Sequence, residues 1–136
     1  MLSKNFSLKE LTTTNVNAPN NPTGVEIERL RQLVIHVLQP LRDRLGLPII
    51  VNSAYRSPQV NKIVGGVPTS QHSRGEAADI RVEGMSPLAL ARYIRDQRLP
   101  YDQLIREPTW VHVSYGPRHR RQTLTMRHGV YFDGLL

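Results

Sequence analysis

From Val25 onward the apolar residues Ile27, Leu30, Val34, Val37, Leu38, Leu41 and Leu45 recur at steps of three and four. That spacing lays one apolar stripe along a helix, and Gly46 supplies its stop. Pro40 lies inside the run and removes a backbone donor, so the helix is expected to kink or break near Gln39. His36 falls off the stripe and reads as a surface residue. Upstream, Phe6-Ser7-Leu8-Lys9-Glu10-Leu11 predicts one short amphipathic turn capped by Ser7. Thr12 to Thr23 is rich in Thr, Asn and Pro without periodicity, and reads as a loop.

Period-two and short apolar runs follow. Leu47 to Ser53 predicts a strand that ends at Ala54-Tyr55-Arg56-Ser57-Pro58, where the proline favours extended geometry before it. Val60 to Val64 predicts a short helix, and Gly65-Gly66-Val67-Pro68 a loop. Ala77 to Val82 reads as the second strand. Ser86-Pro87 has the cap and first-turn proline of a helix to about Gln97, with Leu88, Ala91 and either Ile94 or Tyr93 inward. Tyr101 to Ile105 and Trp110 to Tyr115 add two strands. No repeat or linker divides the chain. The expectation is one α+β domain over residues 1–136, with a small, mostly antiparallel sheet backed by helices.

Composition narrows the function classes. No stretch reaches the roughly 20 apolar residues of a membrane span, so no membrane insertion is expected. The N-terminus lacks a secretory apolar run, which predicts a protein that is cytoplasmic when made. The absence of cysteine excludes disulfides and thiolate metal sites. The formal charge is +7, with the excess gathered in Arg118, Arg120, Arg121 and Arg127 beside His119 and His128. Such a field attracts polyanions. Stacking aromatics and a recognition motif are both missing, so nucleic acid is not the expected partner. His119 and His128 read as wet surface rather than a second metal site. A monomer is expected.

Strand parity then picks out candidate chemistry. In the second strand Ala78, Ile80 and Val82 share one face, so Asp79 and Arg81 share the other. In the last strand Val111 and Val113 oppose Trp110, His112 and Ser114. If these strands are neighbours with apolar faces on the core, Asp79 and His112 emerge together. His72, seven residues before Asp79, can fold back from the preceding loop. Two imidazoles and one carboxylate suit a zinc ion with a fourth position open to water. The ordinary alternative is an aspartate that caps a loop or pairs with Arg56 or Arg81, beside two hydrogen-bonded histidines.

Those segments also carry a family resemblance. Phe6 to Leu11, Val37 to Arg42, Ser53 to Pro58, Val64 to Gly66, the Ser70-x-His72-x-x-Gly75-x-Ala77-x-Asp79 pattern, and Trp110 to Ser114 are spread along most of the chain. They resemble the small zinc peptidases of the D-Ala-D-Ala carboxypeptidase and phage endolysin type, which share the Hedgehog/DD-peptidase fold. The resemblance implies His72, Asp79 and His112 as zinc ligands. It implies Arg56 as a cleft residue that binds a substrate carboxylate or polarises a carbonyl, the rival being a structural ion pair with Asp79 or Glu76. Ser70 and Gln71 are expected to line the site, Ser53 and Tyr55 to support it, and Gly75 to let backbone pass near the metal loop. Trp110 is either cleft wall or core.

One departure stands out. Many family members place the catalytic carboxylate three residues before the last histidine, where this chain has Thr109. Glu107 is the nearest replacement if Pro108-Thr109 forms a turn, and Asp102 is the reserve. The implied activity is hydrolysis of an amide bond beside a D-amino acid in bacterial peptidoglycan, in the setting of phage or prophage lysis. The displaced carboxylate keeps two rivals: a metal-containing module that binds wall peptide without cutting it, and a structural phage component.

Overall fold

The computed structural model describes residues 1–136. In chain order the elements are α1 (Leu8–Thr12), α2 (Gly24–Leu33), a π-helical turn (Val34–Leu38), α3 (Gln39–Leu45), β1 (Ile50–Ser53), α4 (Pro58–Ile63), α5 (Gln71–Arg74), β2 (Ala77–Arg81), α6 (Pro87–Asp96), β3 (Gln103–Arg106), β4 (Val111–Ser114), β5 (Gln122–Arg127) and β6 (Val130–Asp133). The strands form one six-stranded sheet in the order β1-β2-β4-β3-β5-β6. Every neighbouring pair is antiparallel except β3 with β5. The α+β class with a mostly antiparallel sheet is therefore what the chain adopts.

The long apolar stripe folds as predicted, with a specific solution to its proline. A π-helical turn, Val34–Leu38, precedes Pro40, which sits in the first turn of α3. The extra residue in that turn absorbs the donor that proline lacks, so the stripe continues instead of breaking. Leu30, Leu33, Val34, Val37, Leu38 and Leu41 are all fully buried. Gly46 ends α3 at φ +70°. Ser7 caps α1, Ser57 caps α4 and Ser86 caps α6 through their hydroxyls. In α6 the inward set is Leu90, Ala91 and Ile94, while Leu88 and Tyr93 are only partly covered. The expected Leu88 is thus replaced by Leu90, one turn before Ile94 on the same stripe.

The core lies between this helical layer and one sheet face, where Ala78, Ile80, Leu104, Val111 and Val113 are buried. The opposite face carries Asp79 and His112. No helix is long and apolar enough to cross a membrane.

The hairpin β5–β6 was not visible as strand. Its region reads as basic surface, yet Thr123 to Met126 alternates and His128-Gly129 provides a two-residue turn. Both turn residues have positive φ, +51° and +76°, as a type I′ hairpin requires. The parallel pairing of β3 with β5 then carries this hairpin alongside the catalytic-looking face.

Gly75 is fixed by two constraints. It closes α5 at φ +80°, and a Cβ there would lie 2.5 Å from the backbone oxygen of Glu26. The close approach is to α2, not to the ligand loop as expected from sequence. Gly75→Ala is predicted to destabilise the fold by at least about 2 kcal/mol, since left-handed strain and a backbone clash add. Urea unfolding at neutral pH measures this.

Candidate metal centre

The register places the key pair directly. Asp79 on β2 sits opposite His112 on β4, and the adjacent β3 residue opposite His112 is Ile105. Cross-strand partners share a face, so the parity argument from sequence holds. His72 comes from α5, a single helical turn capped by the Ser70 hydroxyl, which accepts from the His72 backbone N–H at 3.2 Å. Asp79 Oδ1 lies 3.4 Å from His72 Nε2 and 3.1 Å from His112 Nδ1. Ligand atoms of these three residues all fall within 4.8 Å of one another.

The donor chemistry favours a cation at this point. His72 Nδ1 donates to the Ala54 carbonyl at 2.7 Å. With Nδ1 so engaged, Nε2 is the ring atom that faces the Asp79 carboxylate, and it can ligate a metal whenever it carries no proton. Two acceptors facing each other inside a nearly buried site repel unless a positive charge lies between them. A second imidazole and a carboxylate complete a set suited to a divalent ion such as zinc. An outer carbonyl such as that of Ala54 is the kind of partner that fixes the ring of a histidine able to ligate a metal. Burial pushes the Asp79 carboxyl upward, but hydrogen bonds and charge from His112 and His72 overcome it and hold it well below its usual range.

Around this cluster lies a cavity of about 410 Å³. Glu107 lines it, Thr109 does not. The Glu107 backbone N–H donates to the Trp110 carbonyl at 3.0 Å, closing the expected turn through Pro108-Thr109. Gln103, Ile105 and Glu107 share strand parity, so Glu107 continues the site-facing row of β3. Burial, reinforced by the Asp79 charge and opposed by His112, raises the Glu107 carboxyl above its ordinary value. Arg56 also lines the cavity, with Nη2 3.3 Å from Asp79 Oδ2. Its Nε donates to the Ser53 hydroxyl at 3.3 Å and its Nη1 to Asn61 at 3.4 Å. The ion pair and the cleft position weighed from sequence coexist in one side chain. Ser70, Gln71 and half-buried Trp110 line the same space, which makes Trp110 cleft wall rather than core. Tyr55 is instead buried in the hydrophobic core, beside the site but not in it.

Asp102 cannot be the reserve base. Its side chain is 0% exposed and Arg120 grips it from two nitrogens, each at 2.8 Å. That pairing, opposed by burial and aided by Gln71, lowers its carboxyl to about 2. His36 stacks on Tyr115 at 4.7 Å between ring centroids; His119 and His128 are exposed. None of these histidines joins the cluster.

Sequence reasoning missed five cavity residues, Gln103, Ile105, Arg118, Arg120 and Tyr131. It also gave no role to the Gly65–Thr69 loop, which forms one rim. There Gly66 packs against Asn61, whose amide would lie 2.0 Å from any added Cβ. The His-Gly turn was the available signal for Tyr131. None existed for the arginines.

A family model described as peptidase M15 matches residues 4–114. The chain belongs to the peptidase M15 family. It is also 34% identical over 94 residues to a zinc D-Ala-D-Ala carboxypeptidase of Streptomyces albus G, a match covering 68% of this chain and 37% of that protein. The chain thus corresponds to well under half of that curated relative's length. For this peptidase M15 member the matched span contains the three converging ligand atoms, Arg56 and Glu107, but stops before the β5–β6 hairpin.

A depressed carboxyl contributes stability that is present above its unfolded value and lost as pH falls through the folded one. For Asp102 that window runs from about pH 4 down to about 2. Asp102→Asn is therefore expected to weaken the fold at neutral pH and to flatten the decline between those limits, read by urea unfolding across the acid range.

Proposed function

We propose that residues 1–136 act as one zinc-dependent peptidase domain that hydrolyses an amide bond, beside a D-amino acid, in bacterial cell-wall peptides. The observation that carries this reading is the convergence of His72 Nε2, Asp79 Oδ1 and His112 Nδ1 on one point of a cavity that Glu107 also lines. In this reading those three side chains hold the zinc ion. Zinc would supply a water acidified toward pKa about 7 and an electrophile for the scissile carbonyl.

The chain's own residues do the rest. Glu107 takes a proton from the attacking water and returns it to the leaving amine, and a carboxyl raised by burial is suited to both tasks. Arg56, steadied by Ser53, Asn61 and Asp79, offers a guanidinium to the carbonyl or carboxylate of the substrate. Trp110 forms a wall for an apolar side chain, while Ser70 and Gln71 bound the opposite side. The half-enclosed cavity suits an extended peptide segment. Resemblance to endolysins and the name of the Streptomyces relative support the wall substrate, and lysis as its setting. The position of Glu107 supports an enzyme over a binding module or phage scaffold, either of which needs no carboxylate there.

Incubating purified wall with the protein is expected to release new amino groups, and a chelator should abolish the release. Unchanged release in chelator would overturn the metal role, and adhesion without release would favour the module. Glu107→Gln is expected to retain stoichiometric zinc by elemental analysis while kcat falls about 10²- to 10⁴-fold, the usual range for a lost general base.

A further inference from the structure

The cavity has two unlike ends. Along β3, Ile105 sits beside the ligand cluster and Glu107 lies beyond it in one direction. In the other direction come Gln103, Arg118 and Arg120. Two residues of strand separate Ile105 from Gln103, roughly 7 Å at the rise of an extended chain. This second end is built, not incidental. Asp102 is fully buried and accepts from the Arg120 backbone N–H, from two Arg120 guanidinium nitrogens and from Gln71 Nε2, all between 2.8 and 2.9 Å. Gln71 Nε2 donates to this carboxylate at 2.9 Å and to Glu76 Oε1 at 3.4 Å, while its own Oε1 is buried without a partner.

The result is an arginine locked by Nε and Nη2, whose Nη1 makes no hydrogen bond within the chain. Arg118 is the second cation. Its side chain is 55% exposed and its Nε stands 4.0 Å from the same carboxylate. One buried negative charge therefore faces two guanidinium groups on the cavity wall, gripping Arg120 and standing near Arg118, which leaves one positive charge unbalanced.

The backbone shows the same commitment. His119 and Arg121 adopt left-handed conformations, φ +44° and +50°, which non-glycine residues rarely take. That alternation puts Arg118 and Arg120 on the cavity side. Their neighbours anchor elsewhere: Arg121 donates to the Leu99 carbonyl at 2.8 Å and stacks over Tyr101, and His119 packs edge-on against Tyr115. Strained residues persist only where the surroundings over-determine them, and they gather at functional sites. Both arginines lie outside residues 4–114 matched by the family model, so the feature belongs to this chain's own C-terminal segment.

We propose that Arg118 and Arg120, seated on Asp102, form a substrate subsite that receives a carboxylate borne by the peptide about two residues from the scissile bond. The inference rests on the peptidase reading above. A locked guanidinium with a free edge presents parallel donors to a carboxylate without further ordering, and the exposed Arg118 adds a second positive charge beside it.

The test uses D-alanine-containing peptides in which each carboxylate, terminal or side-chain, is amidated one at a time. Affinity is measured by calorimetry with zinc-loaded Glu107→Gln protein, and kcat/KM with the wild-type enzyme. One particular amidation should weaken binding about 10- to 100-fold, as expected for a lost charge-assisted contact. Arg118→Ala should weaken the parent peptide comparably and the amidated one by less than about threefold, because the two changes remove one interaction. Arg118→Lys should recover part of the loss. Equal losses on both peptides, amidations without effect, or no measurable binding by any peptide overturns the subsite. Carboxylate-coupled binding without cleavage of any peptide refutes the peptidase reading and leaves the subsite standing.

Discussion

A carboxylate oxygen flanked by two imidazole nitrogens is the constraint on which this molecule's organisation turns. The Ala54 carbonyl accepts from His72 Nδ1, so the other nitrogen, Nε2, is the one turned to Asp79. A proton on Nε2 or a cation held between the two groups satisfies both, and Arg56 adds its charge at the other carboxylate oxygen. Each partner comes from a different element: Ala54 from the end of β1, His72 from α5, Asp79 from β2 and His112 from β4. The Asp79–His112 register and the β1–β2 irregularity near Ser53 bring them together. Core packing on the far face holds that register, because a slip of one residue would drive Asp79 into the apolar layer. Stability and chemistry are thus two faces of the same strand pair.

The parts legible in the sequence are those set by local periodicity. The three- and four-residue stripe gave the long helix, and alternation in Ala77–Val82 and Trp110–Tyr115 gave the shared face of Asp79 and His112. Glu107 was legible only as the carboxylate nearest to Thr109, with Pro108-Thr109 as a turn; its place in the row of Gln103 and Ile105 emerged from the folded strand. Asp102 was misread for the opposite reason: its meaning depends on Arg120, 18 residues away. Nothing in a short window shows that a carboxylate is buried under a distant guanidinium. The β5–β6 hairpin was hidden by its charge, since Arg118 to His128 looks solvated until the parallel β3–β5 pairing supplies a sheet to join. Non-local pairing of this kind leaves almost no periodic trace.

The displaced carboxylate and the arginine-bearing loop are connected by geometry. A carboxylate at position 109 would stand on the β4 side of the turn, whereas Glu107 enters the cavity wall as a continuation of β3. That position sets Glu107, Ile105 and Gln103 in one row, so the axis from Glu107 past the His-Asp-His cluster toward the arginines follows a single strand. An extended peptide laid on that row meets the groups in order. The charges follow the same axis: Glu107 at one end, Asp79 with Arg56 at the centre, and a net positive pair at the other. A peptide with an anionic group on one side of its scissile bond can satisfy that sequence of charges in only one direction. Orientation would then be imposed before any bond is cut, by residues that touch neither the ligand cluster nor the base.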